Sequence, residues 1–165
     1  MNLKKGTMLF LFGFSLITAV FGQNEKFKAL FIYNFTNYIE WPSSGPTFSI
    51  AVLGDSPLIE ELENISKIKK IANATIVVKK VSSASEAAQS QILFIPPSKK
   101  KIATEAYQTL EGKSILIITD NNPVVYGINF LEIGQKQSFQ VSKSALAAHN
   151  LKLNSTLLSL GIQVN

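Results

Sequence analysis

The stretch FSIAVLGDSP, residues 48–57, decides the fold. Phe48 to Leu53 is a nearly continuous apolar run with β-branched residues, the pattern of a strand buried on both faces. Gly54-Asp55-Ser56-Pro57 then breaks the run and starts a helix, with Ser56 as N-cap and Pro57 at the first helical position. The helix runs to about Ile68. Its early turns carry Glu60, Glu61 and Glu63, where the helix dipole favours acids.

The same unit recurs downstream. Ala74 to Val81 (ATIVVKKV) reads as a second strand and Ser83 to Gln89 as a short helix. Gln91 to Ile95 (QILFI) is a third strand, Ser98 to Leu110 a helix, and Ser114 to Thr119 (SILIIT) a fourth strand. Alternation of this kind builds right-handed βαβ units around a parallel sheet. The end of the chain differs. Gly127 to Ile133 and Gln137 to Val141 flank Gly134-Gln135-Lys136 and read as a hairpin. A short helix follows from Ser142 or Lys143 to His149, with Asn150 suited to a left-handed position after it. Asn154 or Ser155 caps a last helix that stops at Gly161. The sum is one α/β domain of three layers, a mainly parallel sheet with an antiparallel C-terminal hairpin edge.

Ahead of this domain stands a targeting segment. Lys4 and Lys5 precede an apolar run from Met8 to Phe21, and Val20-Phe21-Gly22 offers a cleavage site after Gly22. The run is shorter than the roughly 20 residues that span a bilayer, which favours a cleaved leader over a retained anchor. Residues 1–22 are therefore read as a signal peptide and 23–165 as the mature domain. Removing Lys4 and Lys5 lowers the formal charge from +5 to +3, too little and too dispersed to argue for nucleic acid. Arginine is absent, which counts against a dedicated phosphate site. Cysteine is absent too, so the exported domain relies on its core without disulfides.

Between leader and first strand lies KALFIYNFTNYIEWP, residues 28–42, with five aromatics in fifteen residues. Lys26 to Glu40 reads as a helix ended by Pro42. Phe27, Leu30, Phe31, Asn34, Phe35, Tyr38 and Trp41 share one stripe, which is expected to face the core, while Ile32 and Ile39 lie opposite. A helix apolar on more than one face is either deeply buried or covered by a partner. Trp41, amphipathic, suits an interface or the rim of a pocket.

Catalytic groups are sparse. His149 is the single histidine, expected at a helix end where a cation suits the dipole. There is no nucleophile elbow, P-loop or dinucleotide-binding glycine pattern. Neither metal nor cofactor is expected, and the chain is not read as an enzyme. Binding groups gather where α/β sheets place them, outside the carboxyl ends of the strands. Gly54, Asp55 and Ser56 end the first strand, Pro96, Ser98, Lys99 and Lys100 follow the third, and Asp120 ends the fourth. Caps and turns are the plain reading of Asp55 and Asp120, and a solvated charge run that of Lys99 to Lys101. Lysines at a helix start nevertheless oppose the dipole, and an anion or acidic surface would relieve them.

These residues resemble a family. Lys28, Ala29, Ile32, Tyr33, Asn34, Phe35, Trp41 and Pro42 match the opening signature of the YfiR-like proteins, small exported bacterial domains. The likeness continues through FSIAVLGDSP, QILFIPPS, KSILIITD and the tail from Ile128 to Gly161. Two positions depart from the tail pattern: Ser142 replaces an asparagine and Asn150 a glycine. The resemblance implies a periplasmic regulator with a Rossmann-like fold that tends to dimerise. It also implies repression of an inner-membrane diguanylate cyclase, through binding to the cyclase's periplasmic part, and so control of cyclic di-GMP and biofilm. Tyr33, Asn34 and Trp41, with the carboxyl edge of the sheet, are the expected contact residues. The alternative is a small-molecule-binding module serving a sensor kinase or transporter, with its pocket at Gly54, Asp55, Ser56, Pro96 and Asp120. N-terminal sequencing of the exported protein is expected to begin at Gln23; a start at Met1 would overturn the leader assignment.

Overall fold

The computed structural model describes residues 17–42 and 45–165. Most of the expected leader, and Ser43-Ser44 of the turn after Pro42, lie outside the described residues. In chain order the elements are α1 (Ile17–Phe35), β1 (Ile39–Glu40), β2 (Thr47–Leu53), α2 (Leu58–Ile68), β3 (Lys70–Ile71), β4 (Ala74–Val81), β5 (Ile92–Ile95), α3 (Ala103–Thr109), β6 (Leu116–Asp120), β7 (Ile128–Ile133), β8 (Lys136–Ser142), α4 (Lys143–Ala148), β9 (Lys152–Leu153), α5 (Ser155–Leu160) and β10 (Ile162–Val164), with 3-10 turns at Ser85–Ala87 and Pro97–Ile102.

The apolar strands form the centre of an eight-stranded sheet ordered β10-β8-β7-β6-β5-β2-β4-β3. β4, β2, β5, β6 and β7 are parallel. β8 runs antiparallel to β7, the expected hairpin edge, and β3 antiparallel to β4. Successive side chains of a strand face opposite ways. Ile50, Val52, Ile92, Phe94, Leu116 and Ile118 thus meet α1 and α2, while Ala51, Leu53, Leu93, Ile95 and Ile117 meet α3. Both faces being covered explains why these strands read as unbroken apolar runs rather than alternating ones.

The opening helix departs from its sequence reading in two ways. It ends at Phe35, and Ile39–Glu40 forms β1, paired with β9. Thr36 and Asn37 follow, residues whose side chains compete for backbone hydrogen bonds, and Thr36 Oγ1 donates to the Tyr33 carbonyl at 2.6 Å. The buried row is also rotated. Lys28, Ala29, Ile32 and Phe35 are buried, whereas Phe27 and Leu30 remain 41% and 43% exposed. Small Ala29 lets the helix axis approach the sheet, so the bulky aromatics flank the contact instead of centring it. Phe31 and Phe35 close it sideways, with ring centroids 4.9–6.3 Å from Phe130 and Phe139. Asn34, placed in the core stripe by the pattern, is exposed.

Other elements follow the sequence with local shifts. Ser56 Oγ accepts from the Leu58 amide, but α2 starts one residue later than expected, so Pro57 takes the N-cap position and Ser56 stands just before it. The helix expected over Ser98–Leu110 divides into a 3-10 turn holding Lys99 to Lys101 and a shorter α3. Likewise the helix expected over Ser83–Gln89 is a single 3-10 turn. Ser142 and Asn154 cap α4 and α5, and Asn150 has φ +56°. β10 was not anticipated; it lies parallel to β8, and Gly161 before it presses on Phe139 and Val141 so closely that no Cβ fits.

Because Phe35 is 2% exposed within this aromatic group, Phe35→Ala is expected to cost about 3–5 kcal/mol in urea denaturation. Phe27→Ala, at the flank, is expected to cost about 1 kcal/mol or less. Equal losses would show that the helix seats on the other row.

Candidate functional site

α1 runs antiparallel to the central strands, and its middle turns meet the carboxyl end of β6. At Glu25 and Lys28, midway along α1, Lys28 Nζ meets Asp120 Oδ2 of β6 at 2.5 Å and Glu25 Oε1 at 2.9 Å. Asn121, held at φ +49°, donates from Nδ2 to the other Asp120 oxygen. Lys28 and Asp120 are buried, 8% and 4% exposed. Burial alone lowers the Lys28 pKa. The hydrogen bonds and charges of Asp120 and Glu25 outweigh it and hold the ammonium above its ordinary 10.5. Asp120 therefore does not join the carboxyl-edge group expected from sequence; it is the anchor for α1.

The opposite face of the same strand ends carries a second polar network. Thr119 Oγ1 donates to Asn129 Oδ1, which also accepts from the Asn122 amide, while Asn129 Nδ2 donates to the Asn122 carbonyl and to Gln140 Oε1. These groups satisfy one another and leave no open donor set for a ligand.

Strand order reverses at β2, which lies between β4 and β5. That is the topological switch point, where α/β sheets open a crevice. Gly54 and Pro96 stand at its two lips, as the sequence implied. Gly54 has φ +75°, and a Cβ there would sit 2.9 Å from Lys99 Cε, so the Lys99 stem lies across the glycine. Asp55 Oδ1 accepts from Lys80 Nζ at 2.8 Å, a pair too exposed to add much stability. The Lys80 hydrogen bond and charge hold the Asp55 carboxyl below its usual range. Ser98 and Lys100 are exposed beside Lys99. An open groove of about 590 Å³ is lined by Asp55, Ser56, Glu60, Glu63 and Lys80. Pro96 and Asp120, expected in the same pocket, do not line it.

Tyr33, Asn34 and Trp41 gather elsewhere. Trp41 Nε1 donates to the Thr36 carbonyl at 3.0 Å, and its ring meets Phe48, at the start of β2, edge-on at 5.0 Å. Tyr33 is half-buried, with Lys69 Nζ 5.9 Å from its ring centre. This region lies at the amino end of the sheet, the far end from Gly54 and Lys99. A hollow of about 290 Å³ beside Pro42 has Ser90, Gln91, Lys113 and Ser114 on its other walls. The expected contact residues thus form two separate groups.

His149 stands at the end of α4, as its position suggested, but burial disfavours the cation that would suit the dipole. It caps α4 but is 1% exposed, packed 4.8 Å from the Tyr107 ring. Among the described residues no cluster of His, Cys, Asp and Glu could hold a metal, and no helix is long and apolar enough to cross a membrane.

The family pattern DUF4154, described as YfiR/HmsC-like, matches residues 25–162. The chain belongs to this family. No curated protein matches it closely enough to report. The matched region opens at Glu25, so the whole Glu25–Lys28–Asp120 triad falls inside it, as do both contact groups. Membership in the YfiR/HmsC-like family implies a periplasmic regulator acting on diguanylate cyclase signalling.

Removing Lys28 leaves the Asp120 charge buried without its main partner. Lys28→Met is expected to cost about 3 kcal/mol at neutral pH. Because the Lys28 pKa is raised on folding, its stabilisation is complete below pH 10.5 and is lost as pH climbs through the folded value. Urea midpoints should fall above that pH in the wild type more steeply than in Lys28→Met; parallel curves would exclude the pair as an anchor.

Proposed function

We propose that this protein is an exported periplasmic regulator that represses a membrane diguanylate cyclase by binding the cyclase's periplasmic part. Family membership over residues 25–162 carries the reading. Two features of the site support it. First, the opening signature does two jobs across α1 and the segment that follows it. Lys28, Ala29, Ile32 and Phe35 fix the helix to the sheet, and Tyr33, Asn34 and Trp41 stay partly or fully accessible. Second, Phe27 and Leu30 add exposed apolar area on the same helix, and half-open apolar and aromatic groups on a rigid element are suited to a protein partner. The basic turn with Lys99 and Lys100 is a separate accessory face for acidic groups. The open groove at Asp55 and Ser56 supports the second reading, a small-molecule module serving a sensor kinase or transporter. Its shallow form and self-paired Asp55–Lys80 charges favour it less.

Crosslinking in intact cells is expected to capture an integral membrane protein with a cyclase domain, and deletion of the gene is expected to raise cyclic di-GMP. Asn34→Ala and Leu30→Ala, both on the surface, should weaken capture with little change in stability. Capture of no membrane signalling protein, or unchanged cyclic di-GMP on deletion, would overturn the proposal.

A further inference from the structure

Among the described residues, neither ring nitrogen of the buried His149 finds a hydrogen-bond partner. Such orphaned groups are rare in folded proteins. The ring fills a seam between α3 and the loop that follows it. On one side it meets Tyr107 of α3, whose ring lies 5.2 Å from that of Tyr126. On another it meets the loop after α3, which is tied to α4 by a bond from the Gly112 amide to the Ala148 carbonyl and by one from Asn150 Nδ2 to the Gly112 carbonyl. The titratable and charged groups around it are Tyr107 beside it, Tyr126 on the far side of Tyr107, and Glu111 and Lys113 on the loop. Lys143, the charged residue of α4, is at that helix's other end. None of them forms an ion pair with the imidazole.

The chain leads from this seam directly to the amino-end surface. Three residues after His149 it enters β9, whose Lys152 and Leu153 pair with Glu40 and Ile39 of β1. The Asn154 amide donates to the Tyr38 carbonyl at 2.8 Å, and Trp41 follows β1 immediately. The loop residues Lys113 and Ser114 also wall the hollow that Pro42 closes from the other side.

We propose that His149 is an acid-operated latch: protonation drives its ring out of the seam, and the displacement passes through β9 and β1 to Trp41 and the hollow beside Pro42. A neutral imidazole is tolerated in this seam. An imidazolium, with two donors and a buried charge that no carboxylate pairs at salt-bridge distance, is not. Burial pulls the His149 pKa below its ordinary 6.5, against weaker opposing pulls from the Lys113 backbone, outside hydrogen-bond geometry, and from the Glu111 charge. For a base whose pKa falls on closure, the closed seam is fully stable above 6.5. It weakens as pH drops toward the folded value, by up to about tenfold in the closed-to-open ratio per pH unit. The regulatory consequence, a partner face altered by acid, rests on the reading under Proposed function; the latch itself does not.

Trp41 is the chain's single tryptophan and His149 its single histidine, so both ends of the coupling report without labels. In untagged protein titrated from about pH 8 to about pH 5, Trp41 emission is expected to shift in a one-proton transition below 6.5, with far-ultraviolet circular dichroism unchanged. The His149 ring resonance should titrate with the same midpoint. His149→Phe, which keeps a ring in the seam, and His149→Gln should both hold emission constant. A flat wild-type emission, different midpoints for the two probes, a wild-type transition in either variant, or loss of dichroism together with emission would overturn the latch. An intact transition alongside failed membrane-protein capture would overturn only the partner reading.

Discussion

The seating of the opening helix on the sheet is the constraint on which the remaining architecture depends. Two contacts of different kinds set it. Ala29, Ile32 and Phe35 bury apolar area against β2, β5, β6 and β7, and the buried Lys28–Asp120 pair fixes the rotation and axial position of the helix. Apolar contact alone tolerates slippage; a charge that must find one carboxylate does not. With the helix so held, the accessible residues of its signature are presented in one defined orientation, and the turn after Phe35 delivers Ile39–Glu40 to β9. The family signature is therefore first a docking code for the helix, and only then a surface.

The parallel sheet was legible because ILFI and ILII are too continuously apolar for any strand with a solvated face. The caps at Ser142 and Asn154 and the left-handed Asn150 were legible for equally local reasons. The row that α1 buries was not. A helix with Phe27, Phe31 and Phe35 on one side and Ile32 on another offers two plausible core stripes. The choice was made by Ala29, whose smallness matters only against a particular sheet, and by Lys28, whose partner is 92 residues away. Lys28 sits in the same i, i+1, i+4 row as Ala29 and Ile32. Had that row been preferred, it would have pointed to a buried lysine in need of an acid. The two-residue strands β1, β3 and β9 carry no pattern of their own, since pairing across the chain defines them.

For the site, the sequence placed Gly54, Lys99 and Pro96 at the strand ends correctly. It assembled Asp120 with them because strand-end position is readable, whereas the face of the sheet onto which a terminal side chain turns is set by register. His149 stands at the helix end as expected, but its burial was not legible, because a helix-terminal position says nothing about what packs over it. The separation of the two contact groups, one at each end of the sheet, followed only once α1 was known to run against the strands.

Gly161 shows how far the seat of the helix extends. The last turn of the domain leans on the Phe139 and Val141 side chains with no room for even a methyl group. Phe139 in turn touches both Phe31 and Phe35. Any larger residue at 161 would push on the aromatic group from behind and tilt α1 from a site more than a hundred residues downstream. Gly161 thus belongs to the foundation on which the signature helix sits, as much as the signature residues themselves.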